Sequence, residues 1–302
     1  MIMCYTNLLG DPRRKVLKVD LKRVIMLTSE EIEQYSNDGY LPGISLLSND
    51  ELKYYRDACF RCCGTGLQDG VHRQASNRVK PFLLYPWAAE LVRHKRILDV
   101  VESLIGPDIL VFHTTVWFKH PGTGDYVPWH QDATYFGLDP YEHVTAWVAL
   151  TESTRENGCV EIMPGSHSLG QKPHRDDRDQ SAMLSRGQTL SIDLNESLAA
   201  PLLLSAGEVS FHHTLLMHRS APNNSPKPRV GFGISFIPTR VRHTTKTRLS
   251  ATLVRGVDNF GHFDPEPSPT AEASDAAIAA HADALSRYHE ASESIPEMAK
   301  IH

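Results

Sequence analysis

The sequence predicts a mainly β fold with flanking helices, an α+β class. Two observations support this prediction. Capped helical segments fill most of the first third of the chain, whereas short strand-like runs, each bounded by Gly, Pro, Asn or Asp, begin at about residue 108. Many short strands punctuated in this way are typical of an antiparallel sandwich or barrel. Because such domains reach this size as single units, one main domain accounts for most of the 302 residues.

Three helices are predicted before the strands. Thr28 and Ser48 are each followed by acidic residues where a first helical turn would lie, a pattern that marks a helix N-terminus. Segment 39–43 contains two glycines and a proline, and we expect it to separate these two helices. A third helix is expected over 87–104, ended by Gly106 and the proline after it. We expect these helices to brace a sheet.

The predicted strands begin at residue 109, where β-branched and aromatic residues replace the helical spacing. The first strand runs to residue 118 and is followed by a Pro-Gly-Thr-Gly turn. The other segments with strand character are 143–150, 159–163, 189–193, 202–204, 209–213 and 230–237. The sequence contains no internal repeat and no glycine-rich nucleotide loop, so it does not predict a nucleotide-cradling fold.

The chain divides into three expected parts. These are an N-terminal arm over 1–27, a single catalytic domain over 28–250 with helical support at 28–105 and a β core at 106–250, and a C-terminal extension over 251–302 with a helix at 271–292. The polar connection 168–188 is either a solvated loop or a lid over a pocket, since long connections in compact domains are often functional. The alanine-rich terminal helix either docks on the domain or mediates self-association, which would give a homodimer.

Composition narrows the class of partner. The chain is 41% hydrophobic and 22% charged with a net charge of -5, which describes a globular protein without the basic footprint of a nucleic-acid or membrane partner. A small-molecule substrate is the default. No segment resembles a signal peptide or a membrane span, so we expect a soluble, cytoplasmic protein. The five cysteines favour reduced thiols over disulfides, and Cys59, Cys62 and Cys63 suit burial on a helix better than zinc binding.

His130 and Asp132 form a His-x-Asp pair. In an extended segment residues two apart point to the same side, so the two side chains can chelate one metal ion. A third ligand must come from elsewhere, and the 16 histidines offer several candidates. His218 is favoured over His212 and His213 because of its downstream residues: a serine two positions later, an asparagine turn and then an arginine that opens an apolar strand.

That arginine is Arg229. An arginine entering a β core needs an anionic partner, and the carboxylate of a small diacid fits its bidentate fork. The alternative is a surface ion pair. Two imidazoles, one carboxylate and a nearby guanidinium match the facial triad of non-haem Fe(II) oxygenases, which leaves coordination positions open for substrate and oxygen. The sequence therefore points to an enzyme.

Further short segments occur along the chain in a fixed order. They are Asp38-Gly39-Tyr40, Lys119-His120-Pro121-Gly122-Thr123-Gly124, Trp129-His130-Gln131-Asp132, Glu156-Asn157-Gly158-Cys159, Met163-Pro164-Gly165-Ser166-His167, Ala206-Gly207-Glu208 and His218-Arg219-Ser220-Ala221-Pro222-Asn223. In this order they resemble the phytanoyl-CoA dioxygenase (PhyH) family of Fe(II)- and 2-oxoglutarate-dependent oxygenases, over about 39–237. The resemblance implies a double-stranded β-helix core of the jelly-roll, cupin-like type with flanking helices.

The resemblance also implies roles for individual residues. His130, Asp132 and His218 match the iron ligands and hence the catalytic centre. Arg229 matches the arginine that pairs with the distal carboxylate of 2-oxoglutarate, and Ser220 matches a hydroxyl beside the same carboxylate. The implied cofactor is Fe(II), with 2-oxoglutarate and O2 as co-substrates.

Trp147 and Thr115 lie where the family often lines the co-substrate pocket, although plain core packing is the alternative for both. Because Asp132 is retained, the resemblance favours hydroxylation of an unactivated C–H bond over halogenation. Desaturation, epimerisation and ring formation stay open.

The substrate is the least defined part of the prediction. Arg78 and His72 are candidates for the substrate entrance, with solvated surface as the alternative. A secondary metabolite is one reasonable substrate class, on the breadth of the family. Two other functions remain open: a cupin-type isomerase or lyase that does not use 2-oxoglutarate, and a binding scaffold without catalysis.

Overall fold

The computed structural model describes residues 26–64, 76–177, 179, 181–184 and 187–294. Within these ranges the α-helices are α1 (Ser29–Asp38), α2 (Asn49–Cys63), α3 (Pro86–Leu91), α4 (Lys95–Ile105), α5 (Ala133–Phe136) and α6 (Asp275–Ser294). Thr28 and Ser48 each close a capping box with the glutamate three residues later. The two predicted N-termini are confirmed.

The strands form two main sheets and two short pairs. They are β1 (Tyr40–Ser45), β2 (Ile109–Lys119), β3 (Val127–His130), β4 (Leu138–Asp139), β5 (Val144–Ala149), β6 (Val160–Ile162), β7 (His174–Asp176), β8 (Gln188–Leu190), β9 (Ala200–Leu202), β10 (Glu208–His213), β11 (His218–Ser220), β12 (Arg229–Pro238), β13 (Arg242–His243), β14 (Ser250–Arg255) and β15 (Asp264–Pro265). The larger sheet has the order β1-β10-β5-β12-β2-β14-β15, and the smaller one β3-β11-β6-β9. The predicted mainly β fold with flanking helices is confirmed.

The two faces of the larger sheet have different partners. On β12, Val230, Phe232 and Ile234 pack into the core beneath the helices, where Trp87 of α3 meets Phe232 edge-on with ring centroids 5.7 Å apart. Since side chains alternate along a strand, Arg229 and the two glycines after it on β12 face the opposite side, toward the smaller sheet. A cluster that joins Trp147 of β5 to residues of β6 and β9 lies between the two sheets. We call this side the interior.

Two elements differ from the sequence prediction. Segment 39–43 was expected only to separate two helices, but all of it except Gly39 belongs to β1. Gly39 ends α1 at φ 77°, and Tyr40 then pairs with His212 of β10. The single helix expected over 87–104 is two helices. His94 is extended (ψ 118°) between them, and its Nε2 lies 3.2 Å from Glu51 of α2. No glycine or proline marks that break, so local periodicity did not reveal it.

The chain beyond residue 250 joins the same body. β14 extends the larger sheet by pairing with β2, and Lys80 forms a buried ion pair with Glu266 next to it. α6 docks on the domain, because Nε2 of His281 lies 2.8 Å from the carbonyl of Val79. The predicted domain boundary at residue 250 remains a prediction, but the strand after it, β14, pairs with β2 of the predicted catalytic domain. The connection 168–188 includes β7 and the start of β8, and whether it acts as a lid also remains a prediction.

Candidate active site

The proposed ligands lie together at one end of the smaller sheet, where β3 ends and β11 begins. They are His130, Asp132 and His218, and their possible ligand atoms all lie within 4.8 Å of one another. The register of the sheet brings the histidines together, because His218 opens β11 directly opposite His130, the last residue of β3. Their Nε2 atoms lie 3.6 and 3.7 Å from Oδ1 of Asp132. The side chain of Asp132 is 17% exposed, so the group can be reached from outside.

Asp132 reaches this position by a different route from the one that the sequence suggested. Its backbone is helical (φ -56°, ψ -35°) at the start of α5, not extended. The two side chains converge because a strand end is followed at once by a helical turn. The prediction that His130 and Asp132 share one side is right, but the extended geometry behind it is wrong at Asp132.

The backbone fixes which nitrogen each histidine presents. Nδ1 of His130 lies 2.9 Å from the carbonyl of Pro128, and Nδ1 of His218 lies 2.9 Å from the carbonyl of Leu216. A carbonyl only accepts, so both Nδ1 atoms carry the hydrogen and both Nε2 atoms keep a lone pair facing Asp132. Burial, together with the nearby His130, holds the pKa of His218 well below its usual value. A neutral imidazole is the form that binds a metal.

A chain of hydrogen bonds supports the carboxylate of Asp132. Thr145 Oγ1 donates to Oδ2 at 2.9 Å, and the same hydroxyl lies 3.0 Å from Nε2 of His143, whose Nδ1 lies 2.9 Å from Thr214 Oγ1. Burial opposes ionisation of Asp132, but the neighbouring imidazoles outweigh it and hold its pKa well below the usual value. The hydrogens therefore run from Thr214 through His143 and Thr145 toward an ionised carboxylate.

Arg229 is buried on the interior side, with 1% of its surface exposed. Its Nη1 donates to the carbonyl of Gly158 at 2.6 Å and to Ser220 Oγ at 3.3 Å, while its Nε has no hydrogen-bond partner among the described residues. The guanidinium lies 5.2 Å from the ring centre of Trp147. Burial lowers its pKa to about 10. A buried cation held only by neutral groups is prepared for an anion.

Lys119 adds a second buried basic side chain beside Arg229. Its Nζ donates to Ser220 Oγ at 2.7 Å and to the Ser220 carbonyl at 2.9 Å, and it also contacts the carbonyl of Ala221. Burial, and next the charge of Arg229, lower its pKa to about 6. The amine of Lys119 and the guanidinium of Arg229 thus both lie within 3.3 Å of one hydroxyl oxygen, that of Ser220.

Of the other predicted site residues, Trp147 lies beside Arg229, whereas Arg78 lies elsewhere. Trp147 lies against the guanidinium of Arg229, and Gly231 makes room for its ring, since a Cβ there would come within 2.0 Å of it. Thr115 lies opposite Gly233 on β2, and its role stays a prediction. Arg78 instead binds the carbonyl of Cys63 at 2.9 Å and lies over Phe118, so its contacts belong to the helical layer and give its predicted substrate role no support.

His72 lies outside the described residues. Sequence reasoning assigned no role to Lys119 or Thr145, and it considered His212 only as a less favoured candidate for the third metal ligand. Lys119 was visible as the first residue of a family segment, but nothing local showed that it would face Arg229. Thr145 and His212 carry no sequence signal beyond their residue type.

The residues fit a divalent metal of the Fe(II) type. Two aligned Nε2 lone pairs and one carboxylate oxygen supply three ligands on one side of the ion and leave the others open. Together with the double-stranded β-helix and the cationic pocket, this arrangement defines the class of Fe(II)- and 2-oxoglutarate-dependent oxygenases.

Comparison with known proteins gives the family. The model of the phytanoyl-CoA dioxygenase (PhyH) family matches residues 35–231, and the chain belongs to this family. Peroxisomal phytanoyl-CoA dioxygenase of Homo sapiens is 26% identical over 232 residues, which are 70% of this chain and 68% of that protein. The predicted family, enzyme class and cofactor set are confirmed. The protein is an Fe(II)- and 2-oxoglutarate-dependent oxidoreductase of the PhyH type.

Solved structures agree with this assignment. The non-heme monooxygenase ThoJ in its apo form is 33% identical with a TM-score of 0.75, covering 87% of this chain and 97% of that chain. CytC3 with Fe(II) and alpha-ketoglutarate has a TM-score of 0.62 at 23% identity over 82% of this chain and 96% of that chain, a likeness of fold. No helix in the described part of the chain has the length and apolar character needed to cross a bilayer.

Proposed function

We propose that this enzyme hydroxylates an unactivated C–H bond of a small organic molecule, with His130, Asp132 and His218 holding Fe(II) and Arg229 binding the distal carboxylate of 2-oxoglutarate. One observation carries the proposal. The only group of metal-ligating side chains found among the described residues lies in the same interior as a buried arginine whose charge meets only neutral partners. The proposed metal site and the proposed carboxylate site therefore both lie on the interior side of the larger sheet.

The protein's own residues position the reactants. Nδ1 of each histidine is fixed by a carbonyl, so Nε2 needs no reorientation when the metal binds. Ser220 donates to the carbonyl of Gly158 at 2.7 Å, and Arg229 donates to the same carbonyl, so the two groups that receive the carboxylate are braced against each other. When bound, Fe(II) would supply the site of O2 activation, with O2 as the oxidant and 2-oxoglutarate as a two-electron donor, so that one oxygen atom goes to the substrate carbon and the other to succinate as CO2 is released.

Retention of Asp132 supports hydroxylation over halogenation, since its carboxylate occupies the coordination position that a halide would need. Desaturation, epimerisation and ring formation begin with the same hydrogen removal and are the alternative outcomes for the same site.

We infer that the substrate meets an apolar wall beside the proposed metal site. Tyr135 meets the ring of His130 edge-on, with centroids 6.2 Å apart, and it packs with a cluster formed by Val127, Met183 and Leu184. This wall suits a hydrocarbon portion of a substrate, and a secondary metabolite remains the proposed class. Homodimerisation remains a prediction. A cytoplasmic location also remains a prediction, because the curated relatives include peroxisomal enzymes.

Anaerobic titration tests the proposal. Fe(II) and 2-oxoglutarate are added to metal-free protein, and the weak visible charge-transfer band of the chelate is measured. Arg229→Leu is expected to require a 2-oxoglutarate concentration about 100-fold higher, because it removes charge-assisted hydrogen bonds worth roughly 1.5–3 kcal/mol each. Arg242→Leu, at a mostly exposed ion pair, is the matched control.

Two results would contradict the proposal. If the band formed at the same 2-oxoglutarate concentration in the wild type and in Arg229→Leu, Arg229 would not bind the co-substrate. Iron binding without any band would reject 2-oxoglutarate chelation and favour a cupin-type isomerase or lyase. Admission of O2 to the wild-type complex with a substrate library then identifies the product by mass.

A further inference from the structure

A third histidine lies beside the proposed ligands. His212 is on β10, where Val209 and Phe211 pack into the core under the helices. Strand alternation therefore turns His212 to the interior, and the register places it opposite Thr145. Only 2% of its surface is exposed, and its ring centroid lies 4.7 Å from that of His218.

The ring of His212 has unused hydrogen-bonding capacity. Neither Nδ1 nor Nε2 has a hydrogen-bond partner among the described residues, yet Nε2 lies 3.4 Å from Oδ2 of Asp132. Burying an unsatisfied polar group is costly, and an apolar side chain at this position would avoid that cost. The position of the ring thus calls for an explanation beyond packing.

The two oxygens of Asp132 have different neighbours. Oδ1 faces Nε2 of His130 and of His218, at 3.6 and 3.7 Å. Oδ2 faces away from that pair, toward Thr145 Oγ1 at 2.9 Å and Nε2 of His212 at 3.4 Å. An ion held by the two histidines would therefore meet Oδ1, while His212 lies on the side of the other oxygen.

We propose that His212 is a positioning residue for Asp132: its Nε2 lies within donating distance of Oδ2, and a hydrogen bond formed there when the metal binds, together with that of Thr145, leaves Oδ1 alone to bind the metal. The inference rests on the proposed ligand set. A carboxylate that bound through both oxygens would fill one of the positions that a chelating co-substrate and O2 need. Partners of this kind around metal ligands typically change metal affinity by 10- to 100-fold.

Metal affinity tests this role without turnover. Co(II) binding to metal-free protein is measured by calorimetry for His212→Leu, which removes the donor, and for His212→Gln, whose amide nitrogen can reach the place of Nε2. The leucine variant is expected to bind Co(II) about 10- to 100-fold more weakly, and the glutamine variant within about threefold of the wild type. His213→Gln, at the next residue on the other face of β10, is the control and is expected to bind like the wild type.

Thermal unfolding of each metal-free variant separates positioning from folding. Equal Co(II) affinity in the wild type and in His212→Leu would overturn the inference, and so would an equal loss in the leucine and glutamine variants at unchanged stability. A wild-type protein that binds no Co(II) would overturn the proposed metal site itself, so the two failures are distinguishable.

Proton NMR of the Co(II) protein distinguishes a positioning residue from a fourth ligand. His130 and His218 each keep a hydrogen on Nδ1, held by a carbonyl, so each coordinated ring gives one strongly shifted exchangeable resonance. Two such resonances are expected. A third, lost in His212→Gln, would show that His212 binds the metal directly and would overturn the positioning role.

Discussion

Replacing Lys119 by methionine tests how the cationic pocket handles charge. The side-chain amine is fully buried, and burial, followed by the charge of Arg229, lowers its pKa to about 6. The other charged or titratable neighbours are Asp125 and the thiol of Cys159, which act in the opposite direction. At pH 7.5 such a group is roughly 3% protonated, so the pocket without co-substrate carries mainly the charge of Arg229.

Binding of a dicarboxylate changes this balance. An anionic carboxylate beside Arg229 and Ser220 attracts the ammonium form against the cost of burial and offsets the repulsion from Arg229, so it moves the pKa of Lys119 back toward its ordinary value near 10.4. About one proton is then taken up for each 2-oxoglutarate bound at pH 7.5. Because binding consumes a proton, affinity falls as pH rises, and the Kd is expected to increase about tenfold per pH unit between pH 7 and 9.

Calorimetry measures this linkage. Anaerobic Fe(II)-loaded protein is titrated with 2-oxoglutarate in phosphate and in Tris, whose heats of ionisation differ, so the difference in heat gives the number of protons. The wild type is expected to take up about one proton and Lys119→Met about none. Lys227→Met, at an exposed loop lysine, is the control. Equal heats in both buffers for the wild type would refute the reasoning.

The metal-free protein provides a second readout. Between pH 6 and about 10 the unfolded chain binds a proton at Lys119 that the folded chain does not, so the free energy of unfolding is expected to rise with pH over this window. Lys119→Met should lose that part of the slope.

Three further predictions concern packing around the site and its supports. Gly231→Ala would bring a Cβ within 2.0 Å of the Trp147 ring, so we expect a displaced indole, a loss of about 1–3 kcal/mol in stability and a clearly higher KM for 2-oxoglutarate, measured by unfolding and steady-state kinetics. Lys80→Met leaves Glu266 buried without its partner and should lower the free energy of unfolding by about 3–5 kcal/mol, measured in urea. Ser48→Ala removes the side-chain cap of α2 and should cost about 1 kcal/mol by the same assay.

Each of these has an internal control. Gly233→Ala lies on the same strand, but its nearest contact would be 3.2 Å, so its effect should be smaller; equal effects would argue against a role for the Trp147 position. The double variant Lys80→Met, Glu266→Met removes both charges and should recover most of the lost stability. For the cap, Ser48→Asp should retain stability, and a loss equal to that of alanine would contradict the capping account.

The sequence defined much of the site because some of its signals are local. Capping boxes, strand alternation and each family segment depend on residues near one another in the chain. They pointed to His130, Asp132 and His218, which the structure brings together, and the roles of these residues stay predictions. It erred where a tertiary contact decides a local conformation, as at His94, which is extended between α3 and α4 beside Glu51.

What the sequence by itself determined is therefore the family, the class of chemistry and the candidate ligand set. The tertiary structure decided which face each residue occupies: it directs Arg78 to the helical layer, brings Lys119 next to Arg229 and turns His212 toward Oδ2 of Asp132. For Lys119 and His212 the physical reason is strand register. A shift of one residue moves a side chain to the opposite face of a sheet, and that register is set by pairing between distant segments, which local sequence patterns do not record.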